Sequence, residues 1–110
     1  MKAKICLVED DLDLLEALTA TLDVEGIDYI AFDSAAEALT MLQRVPVDFV
    51  VSDINMPNMD GFQFLAAVRK QHPGLPVMLM TAYGQISQAV SALQNGAADY
   101  LVKPFNATHF

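Results

Sequence analysis

The chain has 110 residues, the size of one domain, and 54% of them are hydrophobic, which suits a filled core. No apolar stretch approaches the roughly 20 residues of a membrane span, Met1-Lys2-Ala3-Lys4-Ile5 leads into a strand rather than a signal peptide, and the single cysteine, Cys6, excludes an internal disulfide or a cysteine-rich metal site. The net charge is −8, and every acid except Asp99 lies within residues 1–60, where Lys2, Lys4 and Arg44 are the only opposing charges. That balance argues against direct nucleic-acid binding, which needs basic surface, and fits a cation or a basic partner in a soluble, cytoplasmic protein with no membrane contact.

Strand and helix signals alternate along the whole chain, the pattern of a parallel sheet with helices on both faces. Lys4–Val8 reads as the first strand and Leu12–Glu25 as the first helix, with Leu15, Leu18 and Leu22 on one side and Gly26 as its C-terminal cap. Asp28–Phe32 is a short second strand. Ser34 then caps a second helix, with Glu37 completing a capping box and Ala35, Ala38, Leu39 and Leu42 as the buried stripe. The third strand is Asp48–Asp53, and a third helix runs from Gly61 to His72 before Pro73-Gly74-Leu75-Pro76. Val77–Thr81 is the fourth strand, Gln85–Asn95 the fourth helix and Asp99–Val102 the fifth strand. The expected fold is a doubly wound, flavodoxin-like α/β sheet of five parallel strands in the order 2-1-3-4-5. Asn106 can cap a fifth helix, but only four residues follow it. The sequence therefore predicts a fragment of a longer protein, or a second subunit covering the gap; apolar surface beside the fifth strand favours self-association as a homodimer.

The residues at the strand ends carry the chemistry. Phe49-Val50-Val51 is a buried strand run that stops at Asp53, and open α/β sheets bind ligands at the carboxyl ends of their strands. Glu9, Asp10 and Asp11 follow the first strand, which in the 2-1-3-4-5 order lies beside the third at the topological switch point. Glu9 and Asp10 thus come close to Asp53. Clustered carboxylates repel one another, and a divalent cation relieves that repulsion; magnesium suits oxygen ligands of this kind. Asp11 serves as a helix N-cap, and the same favourable charge at a helix N-terminus is a sufficient structural role for Glu9 and Asp10 as well. Thr81 ends the fourth strand and Lys103 the fifth. Taken alone, these are a β-branched strand residue and a solvated lysine. Together with Asp53 they supply a nucleophilic carboxylate, a hydrogen-bond donor for a phosphoryl oxygen and a compensating positive charge. Pro104 permits a cis peptide bond after Lys103, which would fix the direction of the lysine. Met56, Met59, Met78 and Met80 read as packing residues, and His72 and His109 as solvated.

Val8-Glu9-Asp10-Asp11, Ser52-Asp53-Ile54-Asn55-Met56-Pro57 with Asp60-Gly61, Met80-Thr81-Ala82 and Asp99-Tyr100-Leu101-Val102-Lys103-Pro104-Phe105 resemble the successive motifs of response-regulator receiver domains, over nearly the whole chain. The resemblance implies that Asp53 accepts a phosphoryl group from the phosphohistidine of a sensor histidine kinase. It implies magnesium bound by Asp10 and Asp53 directly, by Asn55 through its backbone carbonyl and by Glu9 through water. It also implies that Thr81 follows the phosphoryl group, with Lys103 close by, and that Tyr100 turns inward. Such a switch controls an output domain, absent from this chain, through the face of the fourth helix and fifth strand. The stretch from Gly96 to Phe105, with Thr81-Ala82-Tyr83-Gly84, is similar to receivers of nitrogen-regulation-type activators that work with sigma-54 polymerase, so the output is transcription regulation. Two features depart from the family pattern: Glu9 stands where many members carry aspartate, and the final helix is incomplete. An alternative with the same tools is a magnesium-dependent aspartyl-phosphate hydrolase. Many such enzymes place a second aspartate two residues after the nucleophile, where this chain has Asn55. A flavin-binding module would need a hydroxyl- and glycine-rich phosphate loop in place of Glu9-Asp10-Asp11.

Overall fold

The computed structural model describes residues 4–81 and 99–102, with Thr81 and the last four as backbone. The elements run β1 (Lys4–Val8), α1 (Leu12–Val24), β2 (Asp28–Phe32), α2 (Ala35–Leu42), β3 (Phe49–Asp53), α3 (Gly61–Gln71), β4 (Val77–Thr81) and β5 (Asp99–Val102). The strands hydrogen-bond in the order β2-β1-β3-β4-β5, every neighbouring pair parallel. The fourth helix expected over Gln85–Asn95, the end of the fifth strand at Lys103-Pro104 and the helix start at Asn106 lie outside the described residues.

Alternation along the strands divides the interior between two faces. Ile5, Leu7, Val51 and Met80 join Leu18 and Leu22 of α1 in one buried cluster. Cys6, Val8, Val50, Val77 and Leu79 join α2 and α3 in the other, against Ala38, Leu39, Phe64, Leu65 and Val68. A strand buried on both faces must be apolar at successive positions, which is why these segments read as continuous hydrophobic runs. The methionines pack as the sequence suggests: Met80 is buried, Met78 is partly buried beside it, and Met56 and Met59 lie against the α2–α3 cluster. Cys6 is buried in the centre of β1, and burial pushes its thiol up to about 12.

The helix ends follow their cap chemistry. Asp11 accepts the N–H groups of Asp13 and Leu14 at 3.1 and 3.2 Å, which starts α1. Its other end closes at Gly26, whose φ of 71° is the left-handed conformation glycine adopts without penalty. There the Ile27 N–H reaches the Leu22 carbonyl at 3.0 Å and the Gly26 N–H reaches Asp23 at 3.1 Å, a Schellman pair. Glu25 is therefore the cap and not, as the sequence suggests, the last helical residue. Of the capping box expected at Ser34 and Glu37, the structure gives one half, Ser34 Oγ accepting the Glu37 N–H at 3.4 Å. A complete box closes at the start of α3, where Asp60 accepts from the Gln63 N–H at 2.9 Å and the Gln63 side chain accepts from the Asp60 N–H at 3.0 Å. Asp48 precedes β3 rather than opening it: its carboxylate accepts the Lys4 N–H at 2.6 Å, and its own N–H donates to the Lys4 carbonyl at 2.8 Å. His72 is half-buried rather than solvated, and it ends α3 with its N–H donating to the Val68 carbonyl.

Candidate functional site

Parallel pairing of β1 with β3 sets Val8 beside Ser52. The next residues along the two strands, Glu9 and Asp53, therefore leave the sheet side by side at its carboxyl end. Glu9 is fully buried and Asp53 is 3% exposed, while Asp10 is half-buried. One carboxylate oxygen from each of Glu9, Asp10 and Asp53 lies within 4.8 Å of the others. The juxtaposition expected from strand order is thus present. Acids at this spacing repel when ionised, and a hard divalent cation taking oxygen ligands is the group their chemistry fits.

Backbone contacts hold Glu9 and the strand end that carries Asp53. The Glu9 N–H donates to the Phe32 carbonyl at 3.0 Å, and Glu9 Oε2 accepts the Asp11 N–H at 3.2 Å. After Asp53 the Ile54 N–H donates to the Met80 carbonyl at 3.1 Å, and the Ile54 carbonyl accepts the Gly61 N–H at 2.8 Å. Asn55 follows on the exposed side of the loop, two residues from Asp53. The loop then turns through Asn58, whose φ of 69° is left-handed and which a short polar side chain tolerates.

The remaining expected site residues are positioned only through their backbone, or not at all. Asp53 pairs with Met80 on β4, so Thr81 stands one step further along the neighbouring strand. Tyr100 pairs with Leu79 across β4 and β5. The side chains of Thr81 and Tyr100, together with Lys103 and Pro104, lie outside the described residues.

Two residues beside Asp53 were not singled out as functional from sequence. Ser52 is fully buried, and its hydroxyl donates to the Asp53 carbonyl at 3.0 Å. Gly61 packs against the same carbonyl with no room for a side chain. The signals were there, a hydroxyl within an apolar strand and a glycine directly after a helix cap, but their meaning depends on which backbone they touch.

The family model described as "Response regulator receiver domain" matches residues 5–110. The response regulator protein FleR of Pseudomonas aeruginosa is 55% identical over 107 residues, which is 97% of this chain and 23% of FleR. The DNA-binding transcriptional regulator NtrC of Escherichia coli K12 is 41% identical over 102 residues, 93% of this chain and 22% of NtrC. The chain thus spans less than a quarter of the length of these relatives. Among solved structures, the beryllofluoride-activated NtrC4 receiver domain dimer superposes with a TM-score of 0.88 at 27% identity, covering 96% of this chain and 88% of that one. This agreement extends to the flavodoxin-like α/β architecture with its parallel sheet.

Proposed function

The chain belongs to the response regulator receiver domain family, whose members are signalling switches rather than enzymes in the ordinary sense, and from that premise we propose that Asp53 is its phosphoacceptor. The observation that carries this reading is the convergence of the Glu9, Asp10 and Asp53 carboxylates at the carboxyl ends of β1 and β3. A carboxylate oxygen of Asp53 attacks the phosphorus of a phosphohistidine on a sensor histidine kinase. The phosphorus–nitrogen bond breaks, the imidazole leaves with the bond's electron pair, and an acyl phosphate forms. Hydrolysis of that acyl phosphate, assisted by the domain itself, resets the switch.

The oxygen donors fit magnesium, with Asp10 and Asp53 as direct ligands, the Asn55 carbonyl as a third and Glu9 acting through water. Bound there, the ion would offset charge on the transferring phosphoryl oxygens. Thr81 and Lys103 are proposed to meet the phosphoryl group, with the peptide bond before Pro104 directing the lysine, and Tyr100 to turn inward as Thr81 moves. Added charge at Asp53 would thereby reach the face of the fourth helix and fifth strand.

In this reading residues 1–110 are the receiver of a longer cytoplasmic regulator, as the share of its relatives' length that it spans suggests. The output is transcription regulation, and the match to NtrC supports the sigma-54 activator subgroup. Nucleic acid would be contacted by the output domain and not by this one. The dimeric NtrC4 receiver supports a homodimer as the signalling form. For a hydrolase the site would need a second acid at position 55, where Asn55 stands exposed.

The test is intact mass after incubation with acetyl phosphate, with magnesium and then with chelator, for the wild type and Asp53→Asn. A single magnesium-dependent phosphoryl adduct, absent from Asp53→Asn, is expected. No adduct on a folded, magnesium-binding wild type would overturn the reading.

A further inference from the structure

We infer that Ser52 and Gly61 are positioning residues that clamp the Asp53–Ile54 peptide and so set where the Asp53 carboxylate stands; the inference rests on Asp53 being the phosphoacceptor. The Asp53 side chain and its carbonyl share one Cα, so whatever fixes that peptide also aims the carboxylate. The peptide is held from two sides. On the sheet side the Ile54 N–H is tied to the Met80 carbonyl at 3.1 Å. On the α3 side Ser52 Oγ donates to the Asp53 carbonyl at 3.0 Å. The next peptide is anchored too, the Gly61 N–H donating to the Ile54 carbonyl at 2.8 Å.

Gly61 closes the clamp by lacking a side chain. A Cβ there would stand 2.5 Å from the Asp53 carbonyl oxygen, 2.7 Å from Ile54 Cα and 3.2 Å from the Asp53 carbonyl carbon. All three are backbone atoms, so no side chain can swing away to make room. The requirement is for close approach and not for an unusual conformation, since Gly26 is the glycine with a positive φ among the described residues. The Asp60–Gln63 box holds the first turn of α3 and keeps Gly61 against the strand end. A Cβ at position 61 must therefore push the Asp53–Ile54 peptide, and the carboxylate with it. In-line phosphoryl transfer is sensitive to such a shift, because a displacement of about 1 Å can cost on the order of 100-fold in rate.

The experiment compares Gly61→Ala, Ser52→Ala and Ser52→Thr in the full chain, with Gly74→Ala as the control glycine, since a Cβ at Gly74 meets nothing within 4 Å. Acetyl phosphate is the donor at saturating magnesium. Adduct formation is followed by intact mass to separate the limiting rate from the half-saturating donor concentration, and urea unfolding is recorded beside it. Gly61→Ala is expected to lower the limiting rate by at least about tenfold, and Ser52→Ala by a few-fold with little change in half-saturation. Ser52→Thr keeps the hydroxyl and should recover most of the rate, and Gly74→Ala should match the wild type. If Gly61→Ala fails to fold, the Ser52 pair decides. A folded Ser52→Ala at the wild-type rate overturns the clamp, as does Ser52→Thr falling as far as Ser52→Ala. A wild type that takes no phosphoryl group sinks the phosphoacceptor reading and the clamp together, and that result is seen without any substitution.

Discussion

At the carboxyl ends of β1 and β3 the chain buries Glu9, Ser52 and Asp53 in a tight, hydrogen-bonded corner. At the amino ends of β3 and β4 it leaves an open cavity of about 520 Å³, lined by the turns from Leu42 to Asp48 and from His72 to Pro76. β3 serves both ends, yet one end buries polar groups and the other leaves space. Buried carboxylates are unfavourable for folding, so a sheet tolerates them only where something other than stability is selected. The slack end carries ordinary turn chemistry: Asp48 to Lys4, Gln43 to Gln71 at 3.3 Å, and Arg69 to the Pro73 carbonyl at 2.8 Å. Function and tolerance to change should therefore separate along the strand axis.

Asp53→Asn should have the largest effect. It should abolish the phosphoryl adduct in intact mass while far-ultraviolet circular dichroism stays that of the wild type. Loss of the fold would break the contrast, because it would make Asp53 a structural residue. Phe64→Ala comes next. Phe64 is fully buried in α3, behind the tight end, and its truncation should remove roughly 3–5 kcal/mol of stability, read from urea unfolding. Glu9→Gln and Asp10→Asn should each weaken magnesium binding at least about tenfold in titration calorimetry, the scale of one charge-assisted contact. Added chelator should cancel the difference between these variants and the wild type. Asp48→Ala should have the smallest effect. It removes a partner of the Lys4 N–H at the exposed, slack end, and the change in unfolding free energy should stay within about 0.5 kcal/mol with the adduct rate unchanged. A slowed adduct in Asp48→Ala would mean that the two ends are coupled.

Much of the fold could be read from the residues alone. The runs Lys4–Val8, Asp28–Phe32 and Val77–Thr81 become strands with the expected bounds, because apolar runs between turn signals constrain a sheet buried on both faces. The meeting of Glu9 and Asp10 with Asp53 followed from strand order. What stayed hidden depends on neighbours distant in sequence or on choices between equivalent signals. Ser34-Glu37 and Asp60-Gln63 carry the same capping pattern, and only the second closes fully. Gly61 looked like loop punctuation until the Asp53 carbonyl stood 2.5 Å from where its Cβ would be. His72 reads as a surface histidine at a helix end, yet it is half-buried where the chain turns back, the Leu75 N–H donating to its carbonyl at 3.0 Å.

The burial of Cys6 has a practical consequence. Thiol reagents attack the thiolate, and a thiol pushed up to about 12 and 1% exposed offers almost none of it near neutral pH. A cysteine introduced on an exposed position such as Gln71 would then be the one reactive handle for a spectroscopic label. The native thiol would react only when β1 comes away from its neighbours. Its slow modification would act as a clock for opening of the central sheet, built into a chain that has no tryptophan to report it.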